Sequence, residues 1–196
     1  MLENTKTTFY KATKNQNLYK LKFTKLQLEI FRLLCVKAGE RLNQRQIARL
    51  LKVSPTAIAK AIPKLEKESL LIKEKQKNMN LILLMLNRNN KMAMQLKRVE
   101  NLKLIYEARL NEFLEEGLPG ATIILFGSYS RGDDTLSSDI DIAIIGRKEK
   151  GISLENFEKR LERKIILNFY PSLKEVHKEL KENICNGIVL SGGVEL

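Results

Sequence analysis

Between Thr24 and Leu65, apolar side chains recur every three or four residues, the period of helices with one buried face. Thr24 is a helix cap for a first such segment, with Leu26, Ile30, Leu33 and Leu34 inward and Gly39 as its stop. Asn43 caps a second, Gln44 to Leu51, whose inner side is Ile47, Leu50 and Leu51. After a short turn at Lys52–Val53, Ser54 caps a third, and Pro55 takes the first helical position, where a missing N–H costs nothing. Ala57, Ile58, Ala61, Ile62 and Leu65 form its stripe, and Pro63 predicts a kink or an irregular second half. The pattern then changes to Leu70–Lys75 and Leu81–Leu86, two strand-like runs around a Lys/Asn-rich turn, a β-hairpin.

The second half alternates between periods. Leu96, Val99, Leu102, Ile105, Tyr106, Leu110, Phe113 and Leu114 predict one helix from about Asn90 to Gly117. At ~1.5 Å per residue such a helix is ~40 Å long, enough to connect two domains and pack on the second. Strand-like runs at Ala121–Phe126, Ile140–Ile145, Ile165–Tyr170 and Ile188–Leu190 follow. Helices are predicted over Ser153–Lys164 and Ser172–Asn183, the latter with a Ser172/Glu175 capping box. The fold class is therefore two domains: helices with a β-hairpin, then an α/β (α+β) unit with a small mixed sheet. The expected division is a basic arm at 1–23 with a short strand near Asn17–Phe23, a first domain at 24–88, the connecting helix at 89–118 and a second domain at 119–196.

Charge separates the two halves. The chain of 196 residues has a formal charge of +12. Residues 1–98 hold 22 Lys/Arg and 6 Glu, a charge of +16, whereas residues 99–196 hold 13 Lys/Arg and 17 acids, a charge of −4. A basic front half points to an anionic partner, above all nucleic acid. All four aspartates, Asp133, Asp134, Asp139 and Asp141, fall within nine residues, which suggests a cation site. There is no apolar run of 18 residues and no signal core, so no membrane partner is expected. Cys35 and Cys185 read as two buried thiols and His177 as a solvated surface residue, and a reduced, cytoplasmic location follows.

Helix, helix, short turn, helix, hairpin is the order of a winged helix-turn-helix, and residues 43–60 resemble the core of bacterial and archaeal winged-helix regulators. The resemblance implies duplex DNA as partner. Ser54, Thr56 and Lys60 would face base edges and phosphates, while Arg45, Arg49, Lys52, Lys73, Lys75 and Lys77 would grip the backbone. Winged-helix readers often form homodimers, and the connecting helix is the expected interface.

The second half contains Gly127-Ser128, ten residues, then Asp139-Ile140-Asp141, set between two strands. Gly127 lets the backbone approach a ligand, Ser128 adds a hydroxyl, and the N–H groups that follow can cradle phosphates. Asp139 and Asp141, two apart on a strand, share a face at ~6.5–7 Å and can hold hard cations that also bridge phosphate oxygens. Arg131 neutralises a phosphate or braces the loop, and Ser138 joins the nucleotide-binding set.

This string resembles the signature of the DNA polymerase β-like nucleotidyltransferase superfamily, especially its minimal prokaryotic members, over about residues 120–190. The resemblance implies Mg²⁺ (or Mn²⁺) and a nucleoside triphosphate, whose nucleoside monophosphate passes to a hydroxyl acceptor with release of pyrophosphate. Asp139 and Asp141 would be the catalytic metal ligands. Minimal members often act as antitoxins that modify a partner RNase, which implies a protein acceptor. Active members generally carry a third carboxylate on the next core strand. Here that strand, Ile165–Tyr170, has none, and Asn168 is expected in its place. An amide cannot act as general base. Slow catalysis through solvent, a carboxylate from Glu162 or Glu175, and nucleotide binding without turnover all remain open. The rival function is a transcription regulator that senses a nucleotide. RNA as the acceptor fits less well, because stacking aromatics are sparse in the basic half.

Overall fold

A computed structural model describes residues 21–75 and 81–194. The front half packs three helices, α1 (Lys25–Val36), α2 (Gln44–Leu51) and α3 (Pro55–Lys67), against a three-stranded antiparallel sheet. That sheet has the order β1 (Leu42–Asn43), β3 (Ile82–Leu86), β2 (Leu71–Lys75). This is the winged helix-turn-helix architecture. Thr24 and Asn43 form capping boxes with Gln27 and Gln46, so each helix start has its free N–H groups satisfied by its own sequence. Ser54 caps α3 with Pro55 in the first turn. Ile30, Leu34, Ile47, Ile58, Ile62, Leu65 and Leu84 are buried together as one core.

Two expectations change here, and a third is not reached. The third helix runs unbroken through Pro63 to Lys67, because Ala61, Ile62 and Leu65 are buried around it and outweigh one lost hydrogen bond. Leu50 points outward and is 50% exposed, leaving Ile47 and Ala48 as the buried residues of α2. The turn at 76–80, with Lys77, and all but the end of the expected strand at Asn17–Phe23 lie outside the described residues.

The back half is a four-stranded mixed sheet in the order β6 (Ile165–Tyr170), β5 (Ile140–Ile145), β4 (Thr122–Phe126), β7 (Ile188–Ser191). β5 and β6 are parallel, and the other neighbours are antiparallel. One face, with Ile123, Leu125, Ile140, Ile142 and Ile144, packs with Ile105, Leu110 and Leu114 of the connecting helices and Leu161 of α7 (Glu155–Leu161). The other face, with Ile124, Phe126 and Ala143, is covered by Leu173, Val176 and Ile184.

The expected single helix from Asn90 to Gly117 is two: α4 (Lys91–Ala108) and α5 (Leu110–Gly117). They break at Arg109, which adopts φ +61°, and the change of direction sends Leu110 and Leu114 into the core. The Ser172 capping box is also replaced. Ser172 caps only a 3₁₀ turn, Leu173–Glu175, and a separate α8 spans Lys178–Cys185. Extended backbone at Val176 buries that side chain on the sheet. Cys35 is buried as expected, but Cys185, at the end of α8, is exposed.

Candidate functional site

The strand register builds the site. Phe126, the last residue of β4, pairs with Asp141 on β5, so the next residue, Gly127, turns directly over the Asp141 carboxylate. Gly127 has φ +73°, and a Cβ there would lie 2.6 Å from Asp141 Oδ2. Both the conformation and the space require glycine. Gly127 also opens α6 (Gly127–Arg131), whose start has no side-chain cap. The structure thus brings Gly127 and Asp141 together, with Ser128 next in the turn and exposed Asp139 near enough for its charge to act on Asp141. Asp141 is half-buried. Burial raises its carboxyl above the ordinary range, and the negative charge of Asp139 raises it further. A divalent cation would relieve that repulsion, and two carboxylates on one face suit a hard, oxygen-seeking ion. Among the described residues no cluster of three or more His, Cys, Asp or Glu is placed to hold a metal, so water or phosphate oxygens would complete the coordination.

The place for a third carboxylate is not at Asn168. In the parallel register Asp141 pairs with Ile166, and Asn168 pairs with Ala143, one pleat repeat further on. Ile166 therefore stands beside Asp141, 39% exposed. The two glutamates considered as substitutes do not fill the position. Glu162 holds Lys37 at 2.7 Å, and Glu175 is exposed in the 3₁₀ turn. Tyr170 lies on the same face. Burial raises its hydroxyl pKa, and the charge of Asp141 adds to the effect.

The other nucleotide-site candidates have structural partners. Arg131 bonds Asp133 at 3.1 Å and Asn183 at 2.9 Å, bracing α6 against α8. Ser138 Oγ accepts the Thr135 N–H at 3.0 Å in the turn before β5. In the front half, Arg45, Arg49, Lys52, Ser54, Thr56, Lys60, Lys73 and Lys75 are all exposed. Lys73 pairs with Glu66, while Arg45, Arg49, Lys52, Lys60 and Lys75 have no ion-pair partner among the described residues. Ser54 spends its hydroxyl on the α3 cap.

Sequence reasoning missed a buried polar cluster between the halves. Asp134 is not at the candidate cation site. It is 1% exposed and pairs with Lys97 of α4, itself 0% exposed. Asn101 donates to Asp134 Oδ1 at 2.7 Å and to the Tyr129 carbonyl at 2.9 Å. Arg163 Nη2 lies 3.7 Å from Asp134 Oδ2 and donates to the Val36 carbonyl at 2.6 Å. Burial lowers the Lys97 pKa, against the opposing pull of Asp134. The one hint in the sequence is Lys97 itself, a cation at the centre of the inward face of α4, between Ala93 and Asn101.

Residues 107–190 match the family model described as "Nucleotidyltransferase domain". No curated protein matches the chain. Solved structures similar to it include the adhesin competence repressor AdcR of Streptococcus pyogenes (23% identity, 49% of this chain and 68% of that chain, TM-score 0.39). The zinc-responsive MarR family member ZitR of Lactococcus lactis is another (26% identity, 53% and 67%, TM-score 0.37). A third is the transcriptional regulator BldR of Sulfolobus solfataricus (19% identity, 45% and 61%, TM-score 0.35).

Proposed function

We propose that the protein binds duplex DNA through its winged helix and takes up a nucleoside triphosphate with a divalent cation in its nucleotidyltransferase domain, as a nucleotide-sensing DNA-binding regulator. Asp139 and Asp141 would hold Mg²⁺ or Mn²⁺, which when bound neutralises phosphate charge. Gly127 and Ser128 would approach the phosphates, and Arg131 and Ser138 would hold the surrounding turns in place. The DNA reading is supported by exposed Arg45, Arg49, Lys52 and Lys60 along α2 and the start of α3, with Lys75 on the wing. Thr56 would be available to bases.

The observation that favours sensing over transfer is Ile166. It occupies the strand position beside Asp141, so no side chain there can take a proton from an attacking hydroxyl. The second reading is transfer of a nucleoside monophosphate to a hydroxyl, on a partner protein or another acceptor, with pyrophosphate released. It is favoured by the close approach of the Gly127 turn to the Asp141 carboxylate, which sets the phosphate-binding turn beside the proposed metal ligand.

The test is calorimetric titration of each nucleoside triphosphate with Mg²⁺ or Mn²⁺, alongside label transfer. Wild type, Asp139→Asn/Asp141→Asn and Ile166→Asp would be compared. Binding that is lost in the double variant, with transfer absent in wild type and gained in Ile166→Asp, supports the sensor. Label transfer by wild type that the double variant loses establishes the second reading. No nucleotide binding in any form removes both.

A further inference from the structure

The segment between the two halves of the nucleotide motif, residues 132–138, is held largely by the DNA-reading half of the chain. Gly132, at φ +83°, lies so close to α4 that a Cβ would come within 2.9 Å of the Met94 carbonyl. Arg88, at the base of the wing, donates to the Asp133 carbonyl at 2.9 Å. Asp134 pairs with Lys97. The Leu136 N–H donates to the Ala38 carbonyl at 3.1 Å, just beyond α1. From the other side of the cleft, Arg163 reaches the Val36 carbonyl, and Lys37 pairs with Glu162. A ligand drawn between Gly127–Ser128 and Asp139–Asp141 closes on a segment whose anchor points belong to the winged helix and the connecting helix α4.

The clamp also has an unused bond. Asp134 Oδ2 and Arg163 Nε are both buried and both lack a hydrogen-bond partner among the described residues, although the two side chains face each other at 3.7 Å. That separation is too long for a hydrogen bond. A shift of about 1 Å would bring a guanidinium and a carboxylate into contact and satisfy both groups. A closed arrangement of this pair beside the observed open one would supply the two-state element that coupled sites require.

From the open Asp134–Arg163 pair and the contacts of residues 132–138 with α1, α4 and the wing, we propose that nucleotide binding at Gly127–Asp141 and DNA binding at the winged helix are linked. Each ligand changes the affinity for the other by the same factor. This rests on the proposed function, because it requires both ligands, and it names how one regulates the other.

The experiment measures DNA affinity of the full chain by fluorescence anisotropy with and without saturating nonhydrolysable ATP or GTP analogues and Mg²⁺. Nucleotide affinity is measured by calorimetry with and without DNA. The expected result is a change of about fivefold or more in each direction, equal within error. Arg163→Met should bring the factor close to one. Because that buried substitution can impair folding, the exposed contacts are also removed with Lys37→Ala/Arg88→Ala. This variant should reduce the factor while its thermal unfolding stays near wild type. A general loss of DNA affinity from the removed charges cancels in the ratio. A wild-type factor of one with both ligands bound overturns the linkage and the sensing role that depends on it, and leaves the two separate binding activities standing. Failure of either ligand to bind alone overturns that function and the linkage with it. A factor unchanged in both variants overturns the clamp as its route.

Discussion

Replacing Gly127 with alanine separates two costs that the structure places at one residue. The first is conformational. At φ +73° an L-residue is destabilised by about 1–2 kcal/mol relative to glycine. The second is contact with Asp141. A Cβ 2.6 Å from Oδ2 cannot be accommodated, so the carboxylate must leave its rotamer, at about 0.5–1.5 kcal/mol. Gly146 is the matched control, because it has φ +84° and nothing within 4 Å of an added Cβ. Gly146→Ala should therefore show the first cost alone, and Gly127→Ala should exceed it by about 1 kcal/mol. In the Gly127→Ala/Asp141→Ala protein the extra increment should vanish, a coupling readable from a double-mutant cycle in urea denaturation followed by circular dichroism. Nucleotide binding should be lost in Gly127→Ala and retained in Gly146→Ala. Equal destabilisation by the two glycine substitutions would refute the reasoning, since it would mean that Asp141 is not held against the turn.

Three further outcomes are expected. In the buried cluster, Asp134→Leu should destabilise more than Lys97→Met, because it leaves two buried cations, Lys97 and Arg163, without a carboxylate. Removing one partner of a buried pair costs about 3–5 kcal/mol, and Lys97→Met should fall at or below the lower end because Arg163 and Asn101 still face Asp134. The opposite order in denaturant titrations would contradict this account. DNA affinity should fall steeply with salt, and Lys52→Ala/Lys60→Ala should flatten the log–log slope by about two, one for each lost phosphate contact. An unchanged slope would remove these side chains from the interface. Arg32 holds Glu107 below its ordinary value of 4.5, chiefly through a direct side-chain bond. The folded-state pKa is depressed, so this contribution is full above that value and is lost as pH falls through the lower one. Thermal melts of Glu107→Gln should approach those of wild type in acid, and a gap that persists there would count against the pair.

What the sequence made legible was local. Thr24, Asn43 and Ser54 announce their helices because capping is a contact between residues three apart. The Gly-Ser and Asp-x-Asp halves announce a site because each is fixed by its own turn or pleat. What was hidden depended on packing at long range. Arg109 carries no break signal, and the helix ends there because Leu110 and Leu114 are pulled into the core beneath the sheet. Alternation could place Ile166, Asn168 and Tyr170 on one face of β6, but not slide that strand along its neighbour. The register comes from the length and packing of the crossover through α7, and a shift of two residues exchanges an amide for an isoleucine beside Asp141.

The charge asymmetry also changes meaning once contacts are known. A front half at +16 and a back half at −4 invite a single explanation, an anionic partner for the front. Some cations, such as Lys73 with Glu66 and Lys22 with Glu68, pair within the front half itself, and two other groups matter more. Arg32, Lys37 and Lys97 point into the molecule and meet Glu100 and Glu107, Glu162, and Asp134. These acids all belong to the negative half, so part of the asymmetry is complementarity between the chain's own domains. Arg45, Arg49, Lys52, Lys60 and Lys75 are exposed and uncommitted among the described residues, and they are the charge left for a phosphate backbone. The aspartates divide in the same way. Asp139 and Asp141 belong to the proposed nucleotide site, while Asp133 and Asp134 tie the intervening segment to Arg131 and Lys97. Nine residues thus contain both the proposed cation ligands and one side of the domain junction. A change at one is therefore placed to be felt at the other.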